Sequence, residues 1–356
     1  MRPFEDFIER YGHQIEEELA NFLKTKIESL SDERRRRVVE EIARFTLSGG
    51  KRIRPSLMIL GYAGSKGVVD SRIVRASIAI ELAHSYLLIH DDVMDRDEIR
   101  RGRPTVWKTF TDIHLKLYGY EDSTHYGYSM AIIAGDLAAT YAVQAILQSN
   151  FEYDVVLKAI ELMQDVVEKT GYGQILDITL KKEPINAIKE EDVLEVHKLK
   201  TAIYTIDGPL RIGGVLARAD EELLNVYSNY AIPVGIAFQL QDDILGVFGD
   251  EAVVGKPVGS DIREGKRTLL VIKAWEWASP GQRKILERTL GNDLASREDI
   301  EEVKDVIRMT GALDYTRELA LNLARKGSSV LDEADISSDV RDILRDLARL
   351  VVERMK

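Results

Sequence analysis

Apolar residues recur at helical spacing along nearly the whole chain, and no series of alternating strand-like segments interrupts them. The pattern predicts an all-α protein. Helices are expected near residues 4–28, 32–47, 54–63, 70–95, 129–149, 152–180, 190–202, 204–217, 219–247, 266–277, 280–290, 297–309, 311–330 and 338–355. Ser31-Asp32-Glu33 supplies a cap and first turn, and Gly49-Gly50 a C-terminal stop. Segments 70–95 and 219–247 are apolar on most faces, which marks them as central helices of a bundle. Two stretches read as loops. One covers 102–128 and carries Phe110, Tyr118, Tyr120, Tyr126 and Tyr128; the other covers 248–268, is rich in Gly, Lys and Asp, and is expected to close over phosphate.

A length of 356 residues admits two domains, but no Pro-rich or Ser/Gly-rich run separates two cores and no repeat is visible. The expectation is one helical-bundle domain over 1–356 with a central cleft. No charge-free apolar run approaches the ~20 residues of a membrane span, and the first residues, MRPFEDFIERYGHQIEEE, are charged rather than signal-like. A cytoplasmic protein without a transmembrane segment is expected. The absence of cysteine removes disulfides, thiolate metal sites and cysteine nucleophiles. A net charge of −11 argues against general affinity for nucleic acid. Local basic clusters change the picture: GGKRIRP at 49–55, Arg100-Arg101 with Arg103, Lys198 with Lys200, and Lys256 through Arg267. Inside an acidic chain they point to a small anionic ligand.

Both central helices end in carboxylates, Asp91-Asp92-Val93-Met94-Asp95 and Gln241-Asp242-Asp243. On a helix Asp91 and Asp95 share one side, with Asp92 about 100° round, a geometry that suits Mg²⁺, which takes one or two carboxylates, waters and phosphate oxygens. Two such clusters facing each other can hold a diphosphate. An Asp pair on a helix is commonly only solvated charge, but here Arg100 and Arg101 follow at once with forked donors for phosphate. In GGKRIRP, Lys51 and Arg54 are three apart beside two glycines, and basic residues at a helix start are favoured only when an anion is nearby. His84 lies two turns before Asp91, within reach of a phosphate, although a lone histidine on an apolar helix is more often part of the core. His90, His114 and His125 read as structural or surface residues, and His197, near Lys200-Thr201, receives no role.

Taken in order, GGKRIRP, ELAHSYLLIHDDVMDRDEIRRGRPT, IIAGDLA, GQILDI at 173–178, KLKTA at 198–202, FQLQDDILGVFGD at 238–250 and GKPVGSDIREGKRT at 255–268 resemble the trans-isoprenyl diphosphate synthases, the polyprenyl synthetase family. The resemblance implies an isoprenoid-synthase type of bundle, a homodimer, and Mg²⁺-dependent condensation of isopentenyl diphosphate with dimethylallyl, geranyl or farnesyl diphosphate. Carried over by position, Asp91 and Asp95 would ligate Mg²⁺ with Asp92 in support, and Asp242 a further Mg²⁺, with Asp243 beside it. Arg100, Lys200 and Lys266 would contact the allylic diphosphate, with Thr201, Gln239 and Lys256 nearby. Lys51, Arg54, His84 and Arg101 would hold isopentenyl diphosphate without metal. Three departures stand out: Gly246 replaces the last acid of the second motif, Trp107 follows PTV where histidine is common, and the 108–128 link is long. Tyr86, five before Asp91, with the smaller Leu87 and Ala83, resembles the tunnel floor of archaeal short-chain synthases making geranylgeranyl diphosphate. A farnesyl or bifunctional farnesyl/geranylgeranyl synthase is the near alternative, and a non-catalytic subunit of a heteromeric synthase a different class of answer. A terpene cyclase would lack the GGKRIRP site and carry an Asn/Ser/Glu metal motif in place of QDD.

Overall fold

The computed structural model describes residues 2–65, 67–249 and 259–353. The described residues are almost wholly helical: α1 (Pro3–Glu28), α2 (Glu33–Leu47), α3 (Ile53–Gly64), α4 (Ser71–Asp95), α5 (Val106–Tyr118), α6 (Ser123–Leu147), α7 (Tyr153–Leu180), α8 (Glu190–Val196), a π-helical stretch His197–Asp207, α9 (Gly208–Leu216) and α10 (Glu221–Phe248). After these come α11 (Ser260–Arg263), α12 (Leu269–Trp277), α13 (Pro280–Thr289), α14 (Arg297–Met309), α15 (Ala312–Ser329) and α16 (Ser338–Glu353). A two-residue antiparallel ladder, β1 (Ile99–Arg100) with β2 (Arg103–Pro104), is the exception. Local chemistry sets many of the starts. Asp32 caps α2 and Asp70 caps α4 by accepting backbone N–H groups, and Ser279 and Ser296 open α13 and α14 with capping boxes. Gly49 (φ 85°) and Gly50 (φ 121°) turn the chain after α2 in backbone conformations that side chains disfavour.

Contacts divide the chain into two units, Met1–Met163 with Pro209–Asp220, and Gln164–Gly208 with Glu221–Lys356. In the first, α4 packs on α6, α3 and α1, and α5 packs on α6. Its core includes Ile73, Ile78, Leu82, Ile89, Ala131, Ala134 and Ala138, all buried. Helices α3 and α9 cross at van der Waals distance because Gly61 and Gly213 lack side chains; a Cβ on either would lie within about 2.1 Å of a carbonyl oxygen, of Leu210 or Met58. In the second unit, α10 is the central rod against the π stretch, α15 and α16. Gly235 admits Ala202, and the Tyr230 hydroxyl, wholly buried, donates to the Leu344 carbonyl at 2.7 Å. Ile244, Val247, Leu270, Ala274, Leu286, Val303 and Ile307 form a core beneath the end of α10. Helices α4, α6 and α10 are long and apolar enough to cross a membrane by length and composition, with 72%, 39% and 56% of their most apolar windows buried within the protein.

Two readings need correction. The 102–128 stretch is not a loop: it forms the β1–β2 turn, α5 and the first turns of α6. Val106, Trp107, Phe110 and Thr111 fall at helical spacing and are buried, while Tyr118 and Tyr120 are exposed. The break expected at 203 is also absent, since the π stretch joins α8 to α9 without interruption. Of the glycine-rich 248–268 segment, 250–258 lies outside the described residues.

Candidate active site

In the first unit the last turn of α4 carries Asp91 and Asp95, both half-buried, and Asp92, which is 1% exposed. The helix ends at Arg96, in the left-handed region at φ 59°. The chain then returns through β1, so that Arg100 Nε donates to Asp92 Oδ1 at 2.6 Å, with its guanidinium 3.8 Å from Asp91 and 3.5 Å from Asp97. Burial pushes the Asp92 carboxyl up to about 6, against the pull of Arg100 and with a further push from Asp97 and Asp91. Trp107 completes the turn, its indole N–H 3.1 Å from the Asp92 carbonyl and 2.8 Å from that of Asp97. The unusual residue after PTV therefore fastens the end of the acidic helix. No group of three His, Asp or Glu side chains among the described residues is gathered to hold a metal unaided. Asp91 and Asp95 on one face, with Asp92 Oδ2 buried and unpaired beside them, fit an ion that takes one or two carboxylates and completes its shell with water and phosphate.

A cationic cluster occupies the same unit. Arg54 Nη1 lies 3.3 Å from His84 Nε2, and because a guanidinium only donates, that nitrogen accepts. Arg101 donates to the Gly49 carbonyl at 2.6 Å, and its guanidinium lies beside Gly50, whose added Cβ would come within 3.4 Å of it. Burial first, then Arg54, Arg101, Arg100 and Arg52, hold the His84 pKa well below its ordinary value, so His84 is neutral. Lys51 is exposed at the mouth of the same turn. Arg52, which the sequence did not single out, is buried and locks the cluster in place: its Nη1 meets Glu81 Oε1 at 2.5 Å and its Nε meets Glu16 at 2.7 Å.

The second unit assembles the remaining residues. Lys200 and Thr201 sit on the π stretch, a geometry often found at functional sites. Lys200 meets Asp177 at 2.7 Å, and Gly173 lets α7 approach its backbone, a Cβ there reaching 2.4 Å from Lys200 N. Thr201 donates to Gln239, and Gln239 donates on to Asp243 Oδ1 at 2.9 Å. Asp243 is 1% exposed and also meets His197 Nε2 at 3.0 Å and Lys266 Nζ at 3.6 Å. Burial alone would raise its pKa, but Lys266, His197 and Gln239 outweigh it and keep the carboxylate charged. Burial opposes the Lys266 ammonium, yet Asp261, Asp243 and Asp177 hold its pKa well above the ordinary lysine value. Asp242, next to Asp243, is half-buried. Asp261 accounts for Gly246: a Cβ at 246 would lie 2.6 Å from Asp261 Oδ2, so a second carboxylate already fills the space of the missing acid. Neither His197 nor Asp261 was assigned a role from sequence, although Asp261 stands inside the GKPVGSDIREGKRT stretch. Lys256 lies outside the described residues.

The residues expected from sequence to limit chain length lie on α4, one to two turns before Asp91. Ala83 is buried, and Tyr86 and Leu87 are half-buried.

With this geometry in hand, comparison with known proteins is specific. The polyprenyl synthetase family pattern matches residues 36–307. The chain is 33% identical to a geranylgeranyl diphosphate synthase of Saccharolobus solfataricus across 95% of this chain and 94% of that one. It is 34% identical to a geranylfarnesyl diphosphate synthase of Aeropyrum pernix across 87% and 92%. The fold superposes with a TM-score of 0.91, at 33% identity over 99% of both chains, on a geranylgeranyl pyrophosphate synthase from Corynebacterium glutamicum crystallised with isoprenyl diphosphate and magnesium. The chain belongs to the polyprenyl synthetase family.

Proposed function

We propose that this prenyltransferase condenses isopentenyl diphosphate with dimethylallyl, geranyl and farnesyl diphosphates, in the presence of Mg²⁺, to give geranylgeranyl diphosphate. The observation that carries the reading is a division of labour among charges. Carboxylates Asp91, Asp95 and Asp242 suit a metal-bound diphosphate, whereas Arg54, Arg101, Lys51 and neutral His84 suit a diphosphate held by cations and hydrogen bonds alone. Bound Mg²⁺ would add positive charge where the leaving diphosphate accumulates negative charge. In the first unit Arg100 is assigned to that diphosphate by family position; in the second unit Lys200 and Lys266 are, with Thr201 and Gln239 beside them and Asp243 anchoring Lys266 and Gln239. Lys51, Arg54, His84 and Arg101 hold the isopentenyl diphosphate so that its double bond meets the allylic carbon as the C–O bond breaks. A proton then leaves the new chain for the departed diphosphate. Tyr86, with Leu87 and Ala83, ends the path of the growing chain. The chain works as a cytoplasmic homodimer, with the exposed apolar side chains of α6 as the contact.

Product analysis by mass spectrometry, with isopentenyl diphosphate, Mg²⁺ and each allylic primer in turn, tests the reading. Geranylgeranyl diphosphate from all three primers, abolished by EDTA, is expected. Products ending at farnesyl would keep the reaction and remove Tyr86 as the floor for this length. No condensation with any primer would leave a non-catalytic subunit.

A further inference from the structure

His90, read from sequence as structural or surface, is held by contacts on both α4 and α6. Its Nε2 lies 3.0 Å from the Ile132 carbonyl oxygen and 3.8 Å from Asp136 Oδ1 on α6. Its ring meets Tyr86, one turn back on α4, edge-on, with centroids 5.0 Å apart and planes at 77°. The imidazole fits only because position 135 has no side chain: a Cβ on Gly135 would lie 2.2 Å from His90 Nε2 and 2.4 Å from Cδ2. One ring is thus pinned between the α6 backbone and the Tyr86 phenol. Since α4 packs directly on α6, the ring also fixes where that phenol lies between the two helices.

We infer that His90, seated on Gly135, is a positioning residue for product length: it holds the Tyr86 ring in the path of the growing prenyl chain. The inference rests on Tyr86 being the floor. The Tyr86 side chain is only half-buried, and the edge contact with His90 is a ring contact that restrains it. Loss of the imidazole frees the phenol and opens the path without altering any diphosphate contact. Length therefore changes while the first condensation does not.

The test measures product length by mass spectrometry, together with the rate of the single condensation of dimethylallyl with isopentenyl diphosphate, in the purified full chain. His90→Ala is expected to raise the fraction of products longer than geranylgeranyl by about three- to tenfold, the effect of losing one aromatic edge contact, with the single-condensation rate unchanged. Gly135→Ala, which displaces the imidazole, should give the same shift. The double variant should match His90→Ala alone, because both changes act through one ring. Tyr86→Ala separates the two levels of the argument. If Tyr86→Ala lengthens the product and His90→Ala does not, the positioning role is wrong and the floor stands. If Tyr86→Ala leaves length unchanged, the floor reading fails and the inference falls with it. A His90→Ala shift that adds in full to that of Tyr86→Ala also overturns the inference, since His90 would then act elsewhere.

Discussion

A single buried imidazole shows how far residue chemistry was legible and where it stopped. The sequence placed His84 two turns before Asp91 and within reach of phosphate. It could not show that Arg54 bonds its Nε2, or that burial and four guanidiniums keep it neutral. Arg52, one of those four, is locked to Glu81, a pairing between residues 29 apart. Gly246 and Asp261 teach the same lesson, because a missing acid is legible while its replacement across space is not. The His84 environment has a pH consequence. In the ligand-free fold His84 stays uncharged, whereas the unfolded chain takes up a proton below about 6.5. The unfolded state then binds more protons, so stability is present above pH 6.5 and is lost as pH falls below it, by up to about 1.4 kcal/mol per pH unit. His84→Gln keeps a neutral acceptor toward Arg54 and removes the protonation. Its thermal midpoint should fall less steeply than that of the unaltered protein between pH 6.5 and 5; an equally steep fall would assign the acid sensitivity to other groups.

At the scale of elements, periodicity identified most helices, because long amphipathic or buried stretches leave a 3.6-residue signature. It failed at two places for physical reasons. Helix α5 was hidden by a run of tyrosines read as loop chemistry, although Val106, Trp107 and Phe110 already carried the helical spacing. The π stretch shifts the register of side chains, so a 3.6-residue reading sees a break where the chain continues. Each element carries candidate residues of its own unit. Trp107 joins α5 to the end of α4 by one N–H shared between the carbonyls of Asp92 and Asp97. Trp107→Phe keeps the aromatic contact with Tyr128, whose ring centroid lies 5.0 Å away, but leaves those carbonyls without this donor. The expected loss of stability is about 1–3 kcal/mol, with a higher Mg²⁺ concentration needed for half-maximal rate as the Asp91–Asp95 turn loosens. Denaturant unfolding and a Mg²⁺ titration of the condensation rate check both. A stability loss with an unmoved Mg²⁺ requirement would make Trp107 a scaffold residue with no bearing on the acidic turn.

For the molecule as a whole, no linker and no composition shift along the chain marks the two units, because each is assembled from segments distant in sequence. Periodicity supplied the all-α class and family resemblance the type of bundle, and neither could show which surface remains unsatisfied. Helix α6 answers that within the first unit. Ile132, Ile133, Asp136, Thr140 and Leu147 lie in a stripe about 100° wide on a 3.6-residue helix, and all five are exposed. Ile132, Ile133 and Leu147 expose 47%, 50% and 48% of their surface. Isolated exposed apolar residues are ordinary, but three large apolar side chains in one stripe with Asp136 and Thr140, on a helix whose most apolar window is only 39% buried, suit a face that meets another protein. The proposed homodimer uses that face. Light scattering after gel filtration should therefore return twice the chain mass, and Ile133→Glu, which places a charge in the stripe without touching the diphosphate residues or His90, should shift the population to monomer. The substituted residue faces solvent in the isolated chain, so its helix should remain folded and its circular dichroism unchanged. A dimer that persists in Ile133→Glu would move the interface to another surface, and a monomeric unaltered chain would require the exposed stripe to serve a different partner.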